Sequence, residues 1–510
     1  MRRHIFAAFL LCVVVAIAGF PHRAVDAQSG ATVTILHIND VYEINAIEGG
    51  RYGGLSRAAT VLQQLERSRS PVLMTLGGDY LSPSAIGTAV VDGQTLAGRQ
   101  MVDVLNHVGL DWAVLGNHEF DVSEAAFRAR LAESRFRVVA SNVSDLKGQP
   151  FPGTVRSAVV PVRAGGRTIR LGLIGLTIDS SRRPWVQYTP PVSAARDHIT
   201  QLKGKVDAII ALTHLSLAGD QDLVTQVPEI DLVLGGHEHE NWLLRRGPHF
   251  TPIVKADANV RTVAVVTLTF GRANRRPTVT SRFDVLDDSV RQDSKVESVV
   301  QKWTRIAFDA FRTNGFEPER VVAVVNESLD GRESTVRNQP GRLTDLITAS
   351  FDREAGGVDV AILNGGSVRI DDVVQAGPIT EYDVIRILPF GGLITRATID
   401  GAVLASILDI GVSNRGTGGY LHTRGATRDG SQWSINGKPL DVSARYTVAL
   451  TDFLMSGGET NLGFLTRTNP AVHDVQDLRD VRLALIAELR AQYGAKEIGR
   501  LLYCRSFTRL

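Results

Sequence analysis

Cysteine is almost absent from this chain of 510 residues, which contains only Cys12 and Cys504. Cys12 falls in an apolar stretch near the amino terminus that we expect to be removed, so one cysteine would remain in the mature chain. One cysteine cannot form an intrachain disulfide, which excludes the class of small domains held together by disulfide bonds. The stability of the protein must therefore come from its hydrophobic cores.

A strong charge of either sign is also lacking. Lysine and arginine number 56 against 54 aspartate and glutamate residues, which gives a formal net charge of +2. Loss of residues 1–27 would remove Arg2, Arg3, Arg23 and Asp26 and leave equal numbers of basic and acidic side chains. This balance argues against a polyanion-binding surface, so we expect no nucleic-acid polymer among the partners.

A long apolar run suited to a stable membrane anchor is missing as well. The run Ile5–Phe20 has 16 residues, whereas a helix that spans a bilayer needs about 20. Two arginines precede this run, and the small residues of Val25-Asp26-Ala27 follow it, which is typical of a secretory signal and its cleavage site. We expect residues 1–27 to be a cleaved signal and the product to be periplasmic or extracellular, with an uncleaved anchor as the alternative.

The length of the chain predicts more than one domain, and its texture changes near residue 320. Residues 28–290 alternate short apolar strands with helical patterns, which predicts an α/β domain with a layered mixed sheet. Residues 291–318 carry a helical apolar pattern and form the expected linker. Residues 319–510 combine strands, Gly-rich turns and helices, which predicts a smaller α/β domain. The sequence carries no indication of an oligomeric state.

Several metal-ligating side chains stand just beyond apolar runs that we predict to be buried strands. Because the carboxyl ends of neighbouring strands meet at one edge of an open sheet, these side chains should converge there. The candidate ligands are Asp40, Asp79, Asn117, His214, His237 and His239. Asp79 follows two glycines that let the backbone approach closely, which suits a carboxylate that bridges two ions. The donor set favours two divalent ions such as Mn, Zn, Co or Fe over Ca.

Taken singly, these residues have ordinary interpretations, because an aspartate at a strand end is usually a cap and a buried histidine is usually part of the core. The stretch Gly116-Asn117-His118-Glu119-Phe120-Asp121 is more specific. It places His118 and Asp121 one helical turn apart, where a carboxylate can fix the tautomer of an imidazole. Together with Gly236-His237-Glu238-His239, this stretch favours a catalytic two-metal centre.

With these motifs in this order, the first part of the chain resembles the calcineurin-like metallophosphoesterases. Over residues 32–465 the chain is similar to the secreted 5′-nucleotidase family, which joins such a domain to a substrate-binding domain. The resemblance implies one metal ion at Asp40, Asp79 and His239, and a second at Asp79, Asn117, His214 and His237. It also implies that His118 stabilises the transferring phosphoryl group and that Asp121 orients His118.

Tyr42 departs from the pattern of this family. The first motif of the family usually reads Asp-X-His, and the histidine completes the first metal site, whereas this chain reads Asp40-Val41-Tyr42. A neutral phenol is a poor ligand, although a trivalent ion can bind it as phenolate. Three interpretations are open, of which we favour the first: a looser site completed by water, a changed metal preference, or a weakened enzyme. His37 should point to the opposite strand face from Asp40, so it is a poor substitute.

Three motifs in the second domain are similar to those of the 5′-nucleotidase C-terminal domain: Asn364–Arg369, Leu388–Gly392 and Asp452–Glu459. The resemblance implies that Phe390 and Phe453 stack on the two faces of a nucleobase and that Arg369 binds phosphate. Both rings could instead belong to the core. Glu459 stands where an aspartate usually accepts the ribose hydroxyls. The remaining candidates for substrate binding are Asn364, Arg337 and Arg342.

The resulting expectation is an exported two-metal phosphoesterase that hydrolyses nucleotides, most simply nucleoside 5′-monophosphates to nucleoside and phosphate. The alternatives within the enzyme class are a 2′,3′-cyclic nucleotide phosphodiesterase, a nucleotide-sugar diphosphatase and a sulfate-ester hydrolase. An alternative from another class is a nucleotide-binding protein with little catalysis, because Tyr42 replaces a metal-ligand histidine. The linker helix could let the second domain carry substrate into the metal site.

Overall fold

The computed structural model describes residues 30–68, 70–271 and 276–494. The expected signal segment 1–27 and Cys504 lie outside these residues. A search of the described helices finds none that is both long enough and apolar enough to cross a membrane.

Two mixed β-sheets form the framework of the first domain. The first sheet contains, in spatial order, Thr154–Val155, Arg137–Val139, Trp112–Val114, Val72–Leu76, Ala31–Ile38, Thr262–Phe270 and Thr278–Val285. The second sheet contains Ser157–Ala164, Arg167–Thr177, Ala208–His214, Leu232–Gly235, Thr251–Lys255 and Trp242–Arg246. In the first sheet the five strands from Thr154–Val155 to Ala31–Ile38 run parallel, and Thr262–Phe270 and Thr278–Val285 are added antiparallel on one side. In the second sheet the four inner strands run parallel, and both edge strands are antiparallel.

Helices cover the outer faces of both sheets. Those on the first sheet are Leu55–Glu66, Arg99–Val108 and Glu124–Glu133, and those on the second are Pro191–Leu202 and Leu217–Gln226. One apolar cluster fills the space between the two sheets, and two others lie beneath the helices. The layers are therefore helix, sheet, sheet and helix, which confirms the predicted layered α/β class.

The strand Ala31–Ile38 shows why the sequence forms a central strand. Its side chains alternate, so that Val33 and Ile35 enter the cluster between the sheets while Leu36 and Ile38 enter the cluster beneath the helices. Both faces are apolar, as expected for a strand buried on both sides. The strand ends at Ile38, and the chain turns away from the sheet at Asp40, where φ is +52°.

A helix of 20 residues, Ser294–Thr313, follows the first domain in the region predicted as the linker. Asp293 caps its amino end by accepting hydrogen bonds from the backbone N–H groups of Lys295 and Val296, at 3.0 and 2.9 Å. The indole of Trp303 donates a 2.8 Å hydrogen bond to Asp103 in the helix Arg99–Val108. The linker helix therefore packs along the first domain. The predicted domain boundaries, 28–290, 291–318 and 319–510, stay a prediction.

The second domain is built on a five-stranded mixed sheet. Its strands, in spatial order, are Leu421–Arg424, Val360–Asn364, Arg445–Thr451, Leu393–Asp400 and Val472–Asp480. Its helices are Glu333–Val336, Arg342–Glu354, Glu381–Ile387, Gly401–Ser413, Asp452–Met455 and Val481–Tyr493. Helices lie on both faces, and the cores beneath them are apolar. This is the smaller α/β domain that the sequence predicts.

Short strands form the remaining ladders. They pair Ala46–Ile47 with Tyr52–Gly53, Val90–Val91 with Gln94–Thr95, Val143–Ser144 with Gln187–Tyr188, Val321–Val325 with Gly377–Thr380, Leu329–Asp330 with Val373–Val374, and Ala426–Asp429 with Gln432–Ile435 and then Lys438–Pro439. Single-turn 3₁₀ helices occur at Glu48–Gly50, Ile86–Thr88, His118–Phe120, Ala258–Val260 and Gly365–Ser367.

The two domains meet through a buried network of charges. Arg386 of the second domain, 8% exposed, lies 3.2 Å from Glu43 of the first domain and 3.4 Å from Asp372. Arg261 of the first domain lies 3.2 Å from Asp372 in turn. The hydroxyl of Tyr382 donates to Glu43 at 3.2 Å. Because each buried charge has an opposite partner, the network holds the two domains in one arrangement instead of opposing their contact.

Candidate metal centre and active site

The structure brings four of the predicted metal ligands together at the carboxyl edge of the sheets: Asp40, Asp79, His214 and His239. One ligand atom each of Asp40, Asp79 and His214 lies within 4.8 Å of the others, and all three residues are buried. The Nε2 atom of His214 lies 3.1 Å from Oδ2 of Asp79 and 3.9 Å from Oδ1 of Asp40. The Nε2 atom of His239 lies 3.5 Å from Oδ1 of Asp40. Carboxylate oxygens and imidazole nitrogens at such spacing can share a metal ion.

The backbone around the two aspartates is tightly clasped. The N–H of Asp40 donates to Gly78 O at 3.0 Å, and the N–H of Val41 donates to Asp79 O at 2.9 Å. Both aspartates adopt positive φ, +52° and +56°, a conformation that persists in a non-glycine residue only where the surroundings enforce it. Gly116 is required at this point, since a Cβ atom there would lie 2.1 Å from Oδ1 of Asp79. These contacts fix the carboxylates before any ligand binds.

Two buried polar atoms of the predicted ligands have no hydrogen-bond partner among the described residues: Nε2 of His214 and Oδ1 of Asn117. The Nδ1 atom of His214 is hydrogen bonded to Gly77 O at 2.7 Å, which leaves Nε2 as the free lone-pair position. Although Nε2 lies 3.1 Å from Asp79, the two atoms are not aligned for a hydrogen bond. Buried polar atoms without partners are rare, and an ion between them satisfies both, so this donor set fits a metal.

Opposing charges set the protonation of the cluster. Burial acts to raise the pKa of Asp79, but the imidazoles of His214 and His118 outweigh it and hold this pKa below its usual value. Burial acts to lower the pKa of His214, whereas Asp79 and Asp40 raise it to about 9. A proton on His214 therefore offsets carboxylate charge, and a bound cation would take the place of that proton.

His237 and His239 reach the site from one short turn after the strand Leu232–Gly235. The backbone N–H of His237 donates to Oδ2 of Asp40 at 2.9 Å, and its ring centroid lies 5.2 Å from that of His214. Burial, together with the nearby His214, lowers the pKa of His237 to about 4. Its imidazole is therefore neutral at physiological pH, which is the form that binds metals.

His239 is oriented by the second domain. Its Nδ1 atom lies 2.5 Å from Oδ2 of Asp371, and its Nε2 atom points back toward Asp40. A carboxylate on the far nitrogen of an imidazole fixes the tautomer and increases the basicity of the metal-binding nitrogen. Asp371 was not predicted from the sequence, although it stands only two residues beyond Arg369 in a motif that was singled out.

Tyr42 lies within the cluster and is only 4% exposed. Its hydroxyl is 3.3 Å from Oδ1 of Asp40, 3.3 Å from Oδ2 of Asp79 and 3.0 Å from Nε2 of His239. Burial and the two carboxylates raise the pKa of Tyr42 well above that of a free phenol. His37 does not replace the missing histidine, because its ring nitrogens bond to Thr75 and to Gly235 O at 2.9 Å each. This orientation agrees with the strand alternation predicted for His37.

His118 and Asp121 form the predicted pair. His118 opens the 3₁₀ turn His118–Phe120, its Nδ1 atom lies 2.6 Å from Oδ2 of Asp121, and its Nε2 atom lies 4.0 Å from Oδ2 of Asp79. Burial acts to raise the pKa of Asp121, but the hydrogen bond and charge of His118 lower it overall. Arg183, which the sequence did not suggest, donates to Oδ1 of Asp121 at 2.9 Å and to Phe120 O at 2.7 Å. Asp121 is therefore held from two sides.

Glu119 performs a structural role that the sequence analysis missed. Its buried carboxylate accepts hydrogen bonds from four backbone N–H groups, those of Asp79, Tyr80, Leu81 and Gly116, at 2.9, 2.7, 3.1 and 2.5 Å. Glu119 thereby joins the loop of Asp79 to the loop of Asn117 and His118. Its position inside the motif Gly116–Asp121 is the sequence feature that could have indicated this role.

Lys255 supports the turn that carries His237 and His239, and it too was missed. This fully buried lysine donates to Leu215 O at 2.7 Å and to Gly236 O at 2.8 Å, and its ammonium group pairs with Glu238. The observable signal was a single charged residue at the end of the apolar strand Thr251–Lys255. A buried ammonium group holds the backbone segments that supply its acceptors, because leaving the ammonium unpaired would cost about 3–5 kcal/mol.

A cavity of about 490 Å³ opens between the second domain and the segment of the first domain that carries Asp121. Its walls include most of the residues predicted to bind substrate, namely Asn364, Arg369, Phe390, Phe453 and Glu459, together with Asp121 and Arg183 of the first domain. The two phenylalanine rings are 54% and 46% exposed, so they do not belong to the core. The guanidinium of Arg369 lies 5.6 Å from the centroid of the Phe390 ring. Asn364 donates to Glu459 at 2.8 Å.

The two remaining predicted arginines have different surroundings. Arg337 lines a cavity of about 430 Å³ beside His237 and His239, and it pairs with Glu333. Glu333 also lies 3.1 Å from Arg369. Arg342 does not join the cavity, because its guanidinium binds Glu327, Gln492 and Tyr493 on another side of the second domain. The structure thus brings Arg337 near the metal ligands and leaves Arg342 apart from the substrate candidates.

Comparisons with known proteins agree with this geometry. The family model for calcineurin-like phosphoesterases matches residues 33–241, and the model for the 5′-nucleotidase C-terminal domain matches residues 321–466. A 5′-nucleotidase of Bos taurus is 25% identical over 555 residues, covering 93% of this chain and 92% of that protein. A 5′-nucleotidase of Vibrio cholerae is 24% identical over 518 residues, covering 90% of each chain.

Among solved structures, the crystal structure of a 5′-nucleotidase precursor from Thermus thermophilus superposes with a TM-score of 0.74. The sequence identity is 21%, and the match covers 91% of this chain and 97% of that chain. This likeness supports the two-domain fold.

The calcineurin-like phosphoesterase match and the curated relatives identify a metal-dependent phosphoester hydrolase, and the cluster of Asp40, Asp79 and His214 is its candidate metal site. The chain belongs to the family that joins a calcineurin-like phosphoesterase domain to a 5′-nucleotidase C-terminal domain.

Replacing Glu119 with glutamine should destabilise the active-site loops. The amide nitrogen cannot accept a hydrogen bond, so at least one of the four backbone N–H groups would lose its acceptor, at a cost of about 1–3 kcal/mol. Urea unfolding of Glu119→Gln against wild type measures this loss. Glu124→Gln is the matched control, since Glu124 is an exposed glutamate paired only with Arg128. Equal stability of Glu119→Gln and wild type would contradict the structural role.

Proposed function

We propose that this protein hydrolyses phosphate esters of nucleotides, most simply nucleoside 5′-monophosphates to nucleoside and phosphate. One observation carries the proposal: a cavity with two exposed phenylalanine rings and an arginine also has Asp121, the partner of His118, in its wall. A nucleotide has a flat base at one end and a phosphate at the other. A cavity that offers aromatic faces and a catalytic pair is suited to that shape.

The base would bind between Phe390 and Phe453. Every nucleobase presents a π-face, so stacking between two rings gives affinity of about 1–3 kcal/mol per ring with little discrimination between bases. Glu459, held by the amide of Asn364, offers carboxylate oxygens that can accept hydrogen bonds from ribose hydroxyls. This arrangement supports recognition of a nucleoside instead of a simple phosphate ester.

The phosphate would lie between the second-domain arginines and the metal ligands. Arg369 presents a planar guanidinium fork, which matches a pair of phosphate oxygens. Its present partner is Glu333, whose pKa burial tends to raise but Arg337, His239 and Arg369 lower to about 2. Glu333 therefore carries a negative charge at neutral pH, and it holds Arg337 and Arg369 at the rim of the site until phosphate binds.

We infer two divalent ions, of Mn, Zn, Co or Fe, with one set of ligands at Asp40, Asp79 and His239 and another at Asp79, Asn117, His214 and His237. The lone-pair positions left free on His214 and Asn117 support this assignment. When bound, such ions stabilise the charge on phosphoryl oxygens and supply a strong nucleophile at neutral pH.

His118 is the residue that we assign to the transferring phosphoryl group. Its Nδ1 atom is held by Asp121, so Nε2 is directed toward the metal-ligand side, 4.0 Å from Asp79. When protonated, Nε2 can donate a hydrogen bond to an oxygen that gains negative charge in the transition state. Arg183 keeps Asp121 in place for this purpose.

We also propose that the protein is exported. The proposal depends on the arginines and the apolar run of residues 1–27, which lie outside the described residues. The Thermus thermophilus relative is described as a precursor, which supports processing of such proteins.

Phosphate release from a panel of substrates tests the function directly. We expect the chelator-treated protein to be inactive, and we expect added Mn, Zn, Co or Fe to restore release of phosphate from nucleoside 5′-monophosphates. The panel includes a nucleoside diphosphate, a 2′,3′-cyclic nucleotide, a nucleotide sugar and a sulfate ester. For the last three, turnover is followed by the nucleotide, the sugar phosphate or the sulfate that hydrolysis releases, because their first cleavage frees no inorganic phosphate. Nucleotide binding without turnover under any of the metals would sink the proposal and favour a binding protein.

The substitution His118→Asn should reduce turnover by about 10²–10⁴-fold, because it removes the imidazole that exchanges protons and hydrogen bonds with substrate without removing an assigned metal ligand. Elemental analysis should find the metal content of the variant close to that of wild type. His473→Asn serves as control, since His473 pairs with Asp400 on the surface of the second domain. Unchanged turnover of His118→Asn would refute the assignment.

Removing either aromatic ring should weaken nucleotide binding selectively. Phe390→Ala and Phe453→Ala should each cost about 1–3 kcal/mol of base stacking, measured as a higher KM for a nucleoside monophosphate. Hydrolysis of glycerol phosphate, which has no base, should change little. Phe250→Ala is the control, because Phe250 is 70% exposed and lies outside the cavity. Equal losses on both substrates would indicate a structural role for the rings.

A further inference from the structure

The hydroxyl of Tyr42 occupies a defined place among the metal ligands, and its contacts go beyond those of an ordinary buried tyrosine. Three potential ligand atoms lie within 3.0–3.3 Å of this one oxygen, and they belong to Asp40, Asp79 and His239. These are the three residues that share the first ion in the proposed function, on which this inference rests. The question is whether the phenol blocks that ion or binds it.

Distances within the cluster distinguish the two arrangements. The Tyr42 hydroxyl oxygen, Oδ1 of Asp40 and Nε2 of His239 form a nearly equilateral triangle with sides of 3.0, 3.3 and 3.5 Å. Ligand atoms about 2.1 Å from one ion lie about 3.0–3.4 Å apart in octahedral or tetrahedral geometry. If the hydroxyl instead filled the position of the ion, atoms at hydrogen-bond distance around it would lie about 5 Å from each other. The hydroxyl therefore occupies a corner of the ligand shell and leaves its centre free.

The surroundings hold each corner of this shell. The backbone N–H of Tyr42 donates to Oδ1 of Asn259 at 2.9 Å, which fixes the start of the side chain. Asp371 binds Nδ1 of His239 and so turns Nε2 toward the Tyr42 hydroxyl. The amide of Asn39 donates to Oδ2 of Asp40 at 2.8 Å, which leaves Oδ1 on the side of the cluster. The arrangement is thus preformed, as is usual for the ligands of a metal site.

We propose that Tyr42 is a ligand of the first metal ion, bound through its phenolate oxygen, and that this position takes a trivalent ion such as ferric iron in place of the first of the two divalent ions inferred above. On binding, the O–H bond breaks, the oxygen–metal bond forms and the proton leaves to solvent, with no change of oxidation state. The phenolate adds a third negative charge beside Asp40 and Asp79, which a trivalent ion balances better than a divalent one. A hard anionic oxygen also suits a hard trivalent cation.

The test uses the full chain, stripped with a chelator and loaded with ferric iron in the absence of substrate. Ferric iron bound to a phenolate absorbs visible light through charge transfer from the ligand to the metal. We expect wild type to become coloured in proportion to bound iron, up to one ferric ion per chain. Tyr42→Phe should lose the absorption band and retain ferric iron at least about 10–100-fold more weakly, the loss that is typical when a supporting contact of a metal site is removed.

Two further variants separate coordination from structural effects. Tyr382→Phe is the matched control, because Tyr382 is part-buried with its hydroxyl 3.2 Å from Glu43 and lies outside the cluster. The ferric-loaded Tyr382→Phe variant should therefore show the same absorption band as wild type. Tyr42→His should bind divalent ions but show no phenolate band. A colourless ferric wild type, or a band that persists in Tyr42→Phe, would overturn the inference. Phosphate release with Mn by a chain that stays colourless with ferric iron would reject this inference alone and leave the proposed hydrolysis intact.

Discussion

The mutual repulsion of two buried carboxylates is the constraint on which the rest of this structure depends. Asp40 and Asp79 lie almost fully out of solvent, and both are within 4 Å of the same imidazole nitrogen of His214. Like charges so close in a medium of low polarity oppose folding unless positive charge joins them. Protonated imidazoles offset this repulsion in part, and metal ions offset it more fully. Stability and catalytic capacity are therefore linked at one point.

The surrounding structure holds the two carboxylates, Asp40 and Asp79, in place. Loops from neighbouring strand ends bond to each other through backbone groups, and the glutamate beside the catalytic histidine draws four N–H groups onto one carboxylate. Lys255 does the same for the turn with the histidine ligands. Each support is itself a buried charge with several partners, so the site is rigid because its supports cannot move without losing hydrogen bonds. The second domain contributes the aromatic walls, Phe390 and Phe453, of the cavity of about 490 Å³.

Local pattern was sufficient to predict the layered fold and the gathering of ligands. The helix Ser294–Thr313 lies within the predicted linker, residues 291–318, and parallel strands bring their carboxyl ends to one edge by geometry alone. Contacts between distant segments were not predictable in this way. Asp371 is hydrogen bonded to His239, which is 132 residues away in the sequence, and Arg183 is hydrogen bonded to Asp121, which is 62 residues away. Arg342 was a candidate for substrate binding, but it is the first residue of the helix Arg342–Glu354, and its guanidinium donates to the hydroxyl of Tyr493.

The contact between Asp371 and His239 has a consequence for how such a protein can change over time. One carboxylate of the second domain completes the support of a side chain in the first, and Arg386 ties the same region to Glu43. The two halves are therefore not interchangeable modules, even though each has its own sheet, and one apolar cluster continues from the first domain through the linker helix into the second. A gene fusion that paired this first domain with a foreign second domain would supply new walls for the cavity but would leave an imidazole without its orienting partner. Recombination at the linker helix would thus be selected against, and the halves would be inherited as a unit.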